Sequence, residues 1–243
     1  MFKHQFFFGL FLSVISIGLL LVVSCSKTET FAIDYHYNYF PLETGKYVAY
    51  DVDSITYTYV SGGTPQRDTV RYQTKELVAD TFYDNLNQLN YRLEVYRRAN
   101  SSDSWNIWKV WSAKAATTNT QKDEDELNFI KLIFPPKEGA TWEGNIYLPE
   151  TDPYKVFRNW NYTYSSVHQP YSVNGLSFDS TLTVNQVDAQ LAIEKTFRKE
   201  VYAKNVGLIE LQWEYLATQT VPANYVNGNL NGFRVHMRAF EHN

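Results

Sequence analysis

Cys25 is the only thiol in the chain, so nucleophilic thiol chemistry, thiolate metal ligation and acylation all have one residue to use. The histidines are scattered. His36, His168, His236 and His242 have no second histidine or carboxylate triad at metal-ligand spacing. No Gly-x-Ser-x-Gly elbow occurs. Asp123-Glu124-Asp125-Glu126 gathers four carboxylates. A calcium loop needs alternating ligands around a central glycine, so this run is expected to be a solvated loop. Carboxylates are plentiful enough for a glycosidase-type pair, but nothing singles out two of them. No catalytic residue, metal ligand or cofactor is assigned. The chain leans towards a non-enzyme, with a carboxylate-dependent hydrolase as the least favoured alternative.

The surroundings of Cys25 are more specific. Lys3 and His4 precede an apolar run from Phe6 to Val23, broken only by Gly9, Ser13, Ser16 and Gly18. Val22-Val23-Ser24-Cys25 follows, then the polar Ser26-Lys27-Thr28-Glu29-Thr30. A basic start, an apolar segment and a small residue before a cut form the layout of an export signal. The run also approaches the ~20 residues that span a bilayer. Val22 to Cys25 resembles the lipobox of bacterial lipoproteins, with a small residue before the acylated cysteine. That resemblance implies a signal peptide over 1–24, a lipidated Cys25 with a tether over 25–38, and a domain over 39–243.

One cysteine permits no internal disulfide, so the domain must be held by its core. The 219 residues left after Ser24 suffice to bury roughly 70% of the unfolded chain's surface in one domain. The chain has 22 Lys plus Arg against 26 Asp plus Glu, a net charge of −4, and loss of Lys3 makes it −5. No basic stripe of the kind nucleic acids need is present. Attachment to the membrane is expected through lipid, and stable anchoring takes more than one acyl chain.

From Tyr35 onward the texture is β: Tyr, Val, Thr, Phe, Ile and Trp in short runs cut by turn residues. Strands are expected at Tyr47 to Val60, Thr69 to Val78, Tyr91 to Arg98, Trp105 to Lys114 and Leu127 to Phe134. Further strands are expected at Thr141 to Leu148, Val156 to Val167, Thr181 to Val187, Ala189 to Ala203, Gly207 to Ala217 and Gly232 to Phe240. Short connections predict a mostly antiparallel all-β fold with little helix. It should be a strongly curved sheet, an open barrel or a sandwich. Phe40-Pro41 with Gly45 and Phe134-Pro135 with Gly139 share a spacing and suggest two rigid entry turns of one design.

In Asn159-Trp160-Asn161-Tyr162-Thr163-Tyr164 the rings fall on one strand face. Exposed, Trp160, Tyr162 and Tyr164 would make a platform for a sugar or another flat ligand. The alternation with Asn159, Asn161 and Thr163 favours a core face instead. Trp105, Trp108 and Trp111 fall on both faces of one strand, which predicts cover on both sides or a barrel lining.

Tyr39-Phe40-Pro41-Leu42 with Gly45, Tyr50 to Ile55, Phe134-Pro135 to Trp142, and Tyr202 to Ile209 resemble a group of uncharacterised lipoproteins of Bacteroidota. The resemblance implies an envelope location, on the outer membrane, and a β-rich fold; it implies no activity. Five of the 12 mature aspartates precede Ser or Thr. Asp53-Ser54-Ile55, Asp68-Thr69-Val70 and Asp179-Ser180-Thr181 resemble the O-glycosylation site of exported Bacteroidota proteins, making Ser54, Thr69 and Ser180 candidate sites. Ordinary turn capping explains the same pairs. The favoured reading is a non-enzymatic, membrane-anchored envelope lipoprotein. It would bind an apolar or amphipathic ligand, or a partner protein, at a concave aromatic-lined face. A carbohydrate-binding surface lipoprotein is the alternative, and it needs one of Trp160, Tyr162 and Tyr164 exposed.

Overall fold

Twelve strands hydrogen-bond into one antiparallel sheet that rolls into a nearly closed barrel. They are β1 (Tyr47–Thr58), β2 (Gln66–Tyr83), β3 (Leu89–Arg98), β4 (Asn106–Ala115), β5 (Asn119–Glu124) and β6 (Leu127–Ile133). Then come β7 (Thr141–Trp142), β8 (Tyr162–Val173), β9 (Leu176–Gln190), β10 (Glu194–Ala203), β11 (Gly207–Thr218) and β12 (Leu230–His242). The computed structural model describes residues 34–149, 151, 154–226 and 228–243. Cys25, the signal over 1–24 and the tether up to residue 33 lie outside the described residues. Tyr35–Asn243 form one packed unit. The expected tether therefore ends earlier than residue 38: Tyr37 packs edge-on against Phe134, and Tyr39 is fully buried.

The sheet order is β6-β5-β4-β3-β2-β1-β12-β11-β10-β9-β8-β7. Each half, β1 to β6 and β7 to β12, is a meander, and β1 pairs with β12 to join them. The two Phe-Pro stretches lead into the first strand of each half. Gly45 N–H donates to Val78 O at 2.8 Å, Val78 N–H to Lys46 O at 2.9 Å, and Lys46 N–H to Glu43 O at 3.0 Å. Gly139 N–H to Tyr164 O, Tyr164 N–H to Ala140 O and Ala140 N–H to Lys137 O repeat the pattern at 3.0 Å each. Gly45 and Gly139 both sit at positive φ, 94° and 75°, which glycine adopts without steric cost.

The far ends of the sheet, β6 and β7, come together at a seam made largely by side chains. Ile130 N–H donates to Gly144 O at 2.8 Å. Trp142 Nε1 donates to Ile130 O at 2.9 Å. The Tyr164 hydroxyl accepts from Ile133 N at 2.9 Å and donates to Ile133 O at 2.8 Å. One phenol thus stands in for a missing strand partner, satisfying both backbone groups of an edge residue.

Inside the roll, one aromatic and aliphatic cluster holds Tyr39, Leu132, Phe134, Trp160, Tyr162, Tyr164, Leu182, Val184 and Tyr202. A chain of charges crosses the same interior. Lys122 Nζ lies 2.7 Å from Glu76 and 3.0 Å from Glu124. Lys131 Nζ lies 2.6 Å from Glu200, and Arg198 NH2 lies 3.1 Å from the same oxygen. The Tyr202 hydroxyl donates to Glu200 Oε2 at 2.6 Å. Three cations meet three carboxylates, so the interior carries no net charge from this group.

Several boundaries differ from expectation. The run Asp123 to Glu126 is not a solvated loop. Asp123 and Glu124 belong to β5, and the turn to β6 consists of Asp125 and Glu126 alone, at φ 52° and 68°. The missing glycine hid this two-residue hairpin, because left-handed backbone is normally signalled by Gly or Asn. Asn174-Gly175 does carry that signal and joins β8 to β9, which starts at Leu176 rather than Thr181. The strand expected at Thr141 to Leu148 is only Thr141–Trp142, and β8 begins at Tyr162, after a short 3-10 turn at Tyr154–Phe157.

Trp160, Tyr162 and Tyr164 are 5%, 0% and 1% exposed, so the aromatic stripe is core and forms no open platform. Truncation of Trp160 to Ala should therefore cost about 3–5 kcal/mol. Tyr164→Phe, which strips both Ile133 backbone groups of their partner, should cost about 1–3 kcal/mol. Urea midpoints of the two variants measure this, and an unchanged midpoint for Tyr164→Phe would mean that the seam does not depend on its hydroxyl.

Candidate functional site

Register divides the side chains of the central strands between two faces. Glu200, Leu211, Met237, Val52 and Tyr72 share one row across β10, β11, β12, β1 and β2, and this row lies on the enclosed face. The neighbouring row, Gln212, His236, Asp53 and Arg71, therefore lies on the opposite face. Asp51, Gln73, Arg238 and Glu210 fall there too, as do Ile55, Thr69, Arg234 and Glu214. An alternation that would normally leave a plain wet surface here builds an open trough of about 770 Å³.

Two structures bound this trough. Towards one end the β8–β9 hairpin folds over: Asn174 Nδ2 donates to Asp51 Oδ2 at 2.9 Å, and the Tyr171 hydroxyl donates to Glu210. Val173 belongs to a buried cluster that includes Val201 and Ile209. Towards the other end the segment before β12 folds back, burying Tyr225 with Tyr57, Leu216 and Leu230. Asn100 and Ser101 from the β3–β4 loop form part of the wall.

The polar groups within it are organised by ion pairs. Asp53 accepts from Arg71 Nε at 2.9 Å and from Arg238 NH2. Glu214 pairs with Arg234, and its other oxygen lies 2.7 Å from Lys195 Nζ. Arg234 is held further by Tyr57 OH at 2.9 Å and Tyr225 O at 2.8 Å. Asp51 also accepts from Gln73 Nε2 at 2.8 Å. Each acid lining the trough is thus already engaged by a donor. Arg71 is 80% exposed, and Arg67 is exposed and makes no ion pair among the described residues.

Beneath the hairpin, Glu210 accepts from His236 Nε2 at 2.6 Å and Gln212 Nε2 at 2.8 Å, besides Tyr171. Burial alone would raise the Glu210 carboxyl, but these donors outweigh it and hold it at about 2. Inside the barrel, burial likewise opposes the charge on Glu124 and Glu200, and the cations around them still pull both below the usual carboxylate range. The carboxyls with clear shifts, Asp84, Glu124, Glu200 and Glu210, all move towards permanent charge. A general acid needs the opposite shift.

The histidines fall in two places. The His36 and His168 rings lie with centroids 4.5 Å apart and tilted by 57°, and His168 Nδ1 lies 2.7 Å from the Tyr39 hydroxyl. That hydroxyl also contacts Ser180 Oγ at 2.7 Å. No spacing rule joins these residues, since His168 and Ser180 lie 129 and 141 positions from Tyr39. His236 hydrogen-bonds to Glu210, and the His242 ring lies 5.6 Å from that of Phe178, tilted by 40°. No group of three metal-ligating side chains is present among the described residues. Of the candidate modification sites, Thr69 is exposed in the trough. Ser54 is half-buried on the enclosed face of β1, and Ser180 is half-buried against Tyr39. Trp105, Trp108 and Trp111 are partly covered by cations: Arg98 over Trp105, Arg97 over Trp108 and Lys122 over Trp111. No family model, curated protein or solved structure matches the chain.

The acid titration of stability follows from these carboxyls. Glu210 binds its proton more weakly when folded, at about 2, than at the ordinary value of 4.5. The unfolded state therefore takes up the proton first as the pH falls. The stabilisation is complete above about pH 4.5, and it is lost as the pH drops through about 2. Glu124 and Glu200 add to the loss in the same direction. Urea midpoints between pH 7 and 2 should be level down to about 4.5 and then fall, and Glu210→Gln should flatten part of that slope. A midpoint independent of pH across the acid range would refute the assignment.

Proposed function

We propose that this is a lipid-anchored protein of the cell envelope, attached through Cys25 to the outer membrane, whose β domain binds a polar ligand without transforming it. The anchor rests on the lipobox-like Val22 to Cys25. The observation that carries the binding reading is the trough. It is an open hollow of about 770 Å³ in which charged and amide side chains share the lining with Ile55, Phe197 and Trp213. Sites of this volume suit small ligands or a short stretch of a chain.

An apolar ligand would need an apolar hollow. The enclosed face is filled by its own rings and ion pairs, with a space of only about 50 Å³ left near Pro41 and Tyr202; the more apolar hollow, about 610 Å³, lies by Tyr37, Phe40, Leu42 and Phe134, away from the trough. The charged groups of the trough favour a polar ligand there, in place of the apolar one expected from aromatic content. A sugar platform at Trp160, Tyr162 and Tyr164 finds no support, since these rings are buried. Binding without reaction is supported by the acids of the trough, each tied to a donor.

Both halves of the proposal can be tested. Cys25→Ser should abolish incorporation of radiolabelled palmitate and release the protein from the membrane fraction; undiminished labelling would remove the anchor. Ser101→Trp places a large side chain at the wall of the trough, at an exposed position. It should leave the thermal midpoint unchanged and abolish retention on glycan supports that hold the wild type. Retention equal to wild type would place the ligand elsewhere.

A further inference from the structure

We infer that the ligand of the trough is an acidic saccharide chain whose charged groups are held by the exposed guanidinium groups of β2. The inference rests on the reading of the trough as a binding site and names the chemistry it selects. Donors are in surplus there. The carboxylates of Asp51, Asp53 and Glu214 are already occupied by the protein's own groups. Arg71 spends only Nε on Asp53, leaving its outer edge to solvent, and Arg67 has no acidic partner among the described residues. A guanidinium with two free N–H groups matches the paired oxygens of a carboxylate.

The cations fall into two stations. Arg71 and Arg238 share Asp53, and Arg67 and Arg234 both lie over the Tyr57 ring, at 5.9 and 5.3 Å. Arg67 and Arg71 are four residues apart on one strand face, a separation of about 13 Å at ~3.3 Å per residue. One compact anion cannot reach both. A chain with spaced charges can, lying along β2 between the two structures that bound the trough. Between the stations Thr69 presents a hydroxyl, the match for sugar hydroxyls. Single-stranded nucleic acid would need exposed rings for its bases to stack on. The Tyr57 ring is buried beneath its arginines, and the rings that border the trough are half-buried and engaged, Tyr72 beneath Arg97 and Trp213 edge-on against Phe233, with Phe197 beside them. The chain as a whole is acidic, so a polyanion is repelled elsewhere and confined to this stripe.

Isothermal titration of the full-length protein in neutral detergent tests the inference, with four probes: hexagalacturonate, maltohexaose, inorganic phosphate and a thymidine decamer. Hexagalacturonate should bind, and the other three should bind at least tenfold more weakly. Arg67→Ala and Arg71→Ala should each weaken it about tenfold, the rough effect of losing one charge-assisted contact. Both positions are exposed, so the variants should keep the wild-type thermal midpoint, and raised salt should weaken binding. Tighter binding of the decamer would make the occupant a nucleic acid and overturn the saccharide. Phosphate binding as tightly as hexagalacturonate would overturn the extended ligand. Maltohexaose binding as tightly, unaffected by Arg67→Ala and Arg71→Ala but abolished by Ser101→Trp, would overturn the acidic specificity and leave the trough standing as a site. No binding of hexagalacturonate, or binding untouched by all three substitutions, overturns the inference outright.

Discussion

The contact between Lys131 and Glu200 fixes the shape of this molecule. The two residues belong to β6 and β10, eight places apart in the sheet order. In a flat sheet that is about 38 Å, at ~4.8 Å per strand. Their side chains meet at 2.6 Å with essentially no exposure to solvent. Only a sheet that rolls back on itself satisfies both facts. The energetics make the constraint sharp. Two buried charges that lose each other cost about 3–5 kcal/mol, far more than the pair adds over a well-packed apolar substitute. The network therefore penalises open or mis-rolled sheets more than it stabilises the right one. Glu76, Lys122, Glu124 and Arg198 extend the penalty to other strands, because each would be left unneutralised if the roll opened.

Filling the barrel with charges and rings has a consequence for function. The concave side of a curved sheet is where a ligand pocket is ordinarily sought, and here that side is occupied by the protein itself. The seam adds to this. Trp142 and Tyr164 commit their polar atoms to Ile130 and Ile133, so the most conspicuous aromatic residues serve closure. The proposed binding site lies instead on the opposite face, which is hollow because the β8–β9 hairpin and the segment around Tyr225 stand up at its two ends. The ion pairs on its floor follow from strand register. Asp53 lies opposite Arg71 on β2, while Arg238 reaches it diagonally from β12.

The class of fold was legible in the sequence because its cause is local. Alternation and turn chemistry act over two to ten residues, and eleven segments of the right texture were visible. The short-range failures have equally local causes. Asp125-Glu126 takes a backbone that acidic residues rarely adopt, so β5 lost its turn signal and Glu124 passed for a solvated residue. Strand β7 stops after Trp142 although Ile146 and Tyr147 continue the texture, and both of these are exposed. The alternation of Trp160, Tyr162 and Tyr164 with polar residues placed the rings on one face and favoured the core, but only what lies opposite could decide between core and platform. The trough was out of reach for the same reason. Its floor joins residues near 53, 71, 212 and 236, and no spacing rule links them.

The equivalent entry turns explain where the trough lies. Phe40 to Gly45 and Phe134 to Gly139 each launch a six-stranded meander with the same three backbone bonds. Two like units placed in one sheet create two junctions. One is the β6–β7 seam, where short strands leave backbone groups for side chains to satisfy. The other is β1 against β12, where 12- and 13-residue strands pair over most of their length. Long strands coil, and a coiled strand presents a saddle whose outer side is hollow along its length. The trough forms at the long junction. Its arginines come from both units, Arg67 and Arg71 from the first and Arg234 and Arg238 from the second. Neither half alone carries both members of either cationic station, so the site exists only where the two meet.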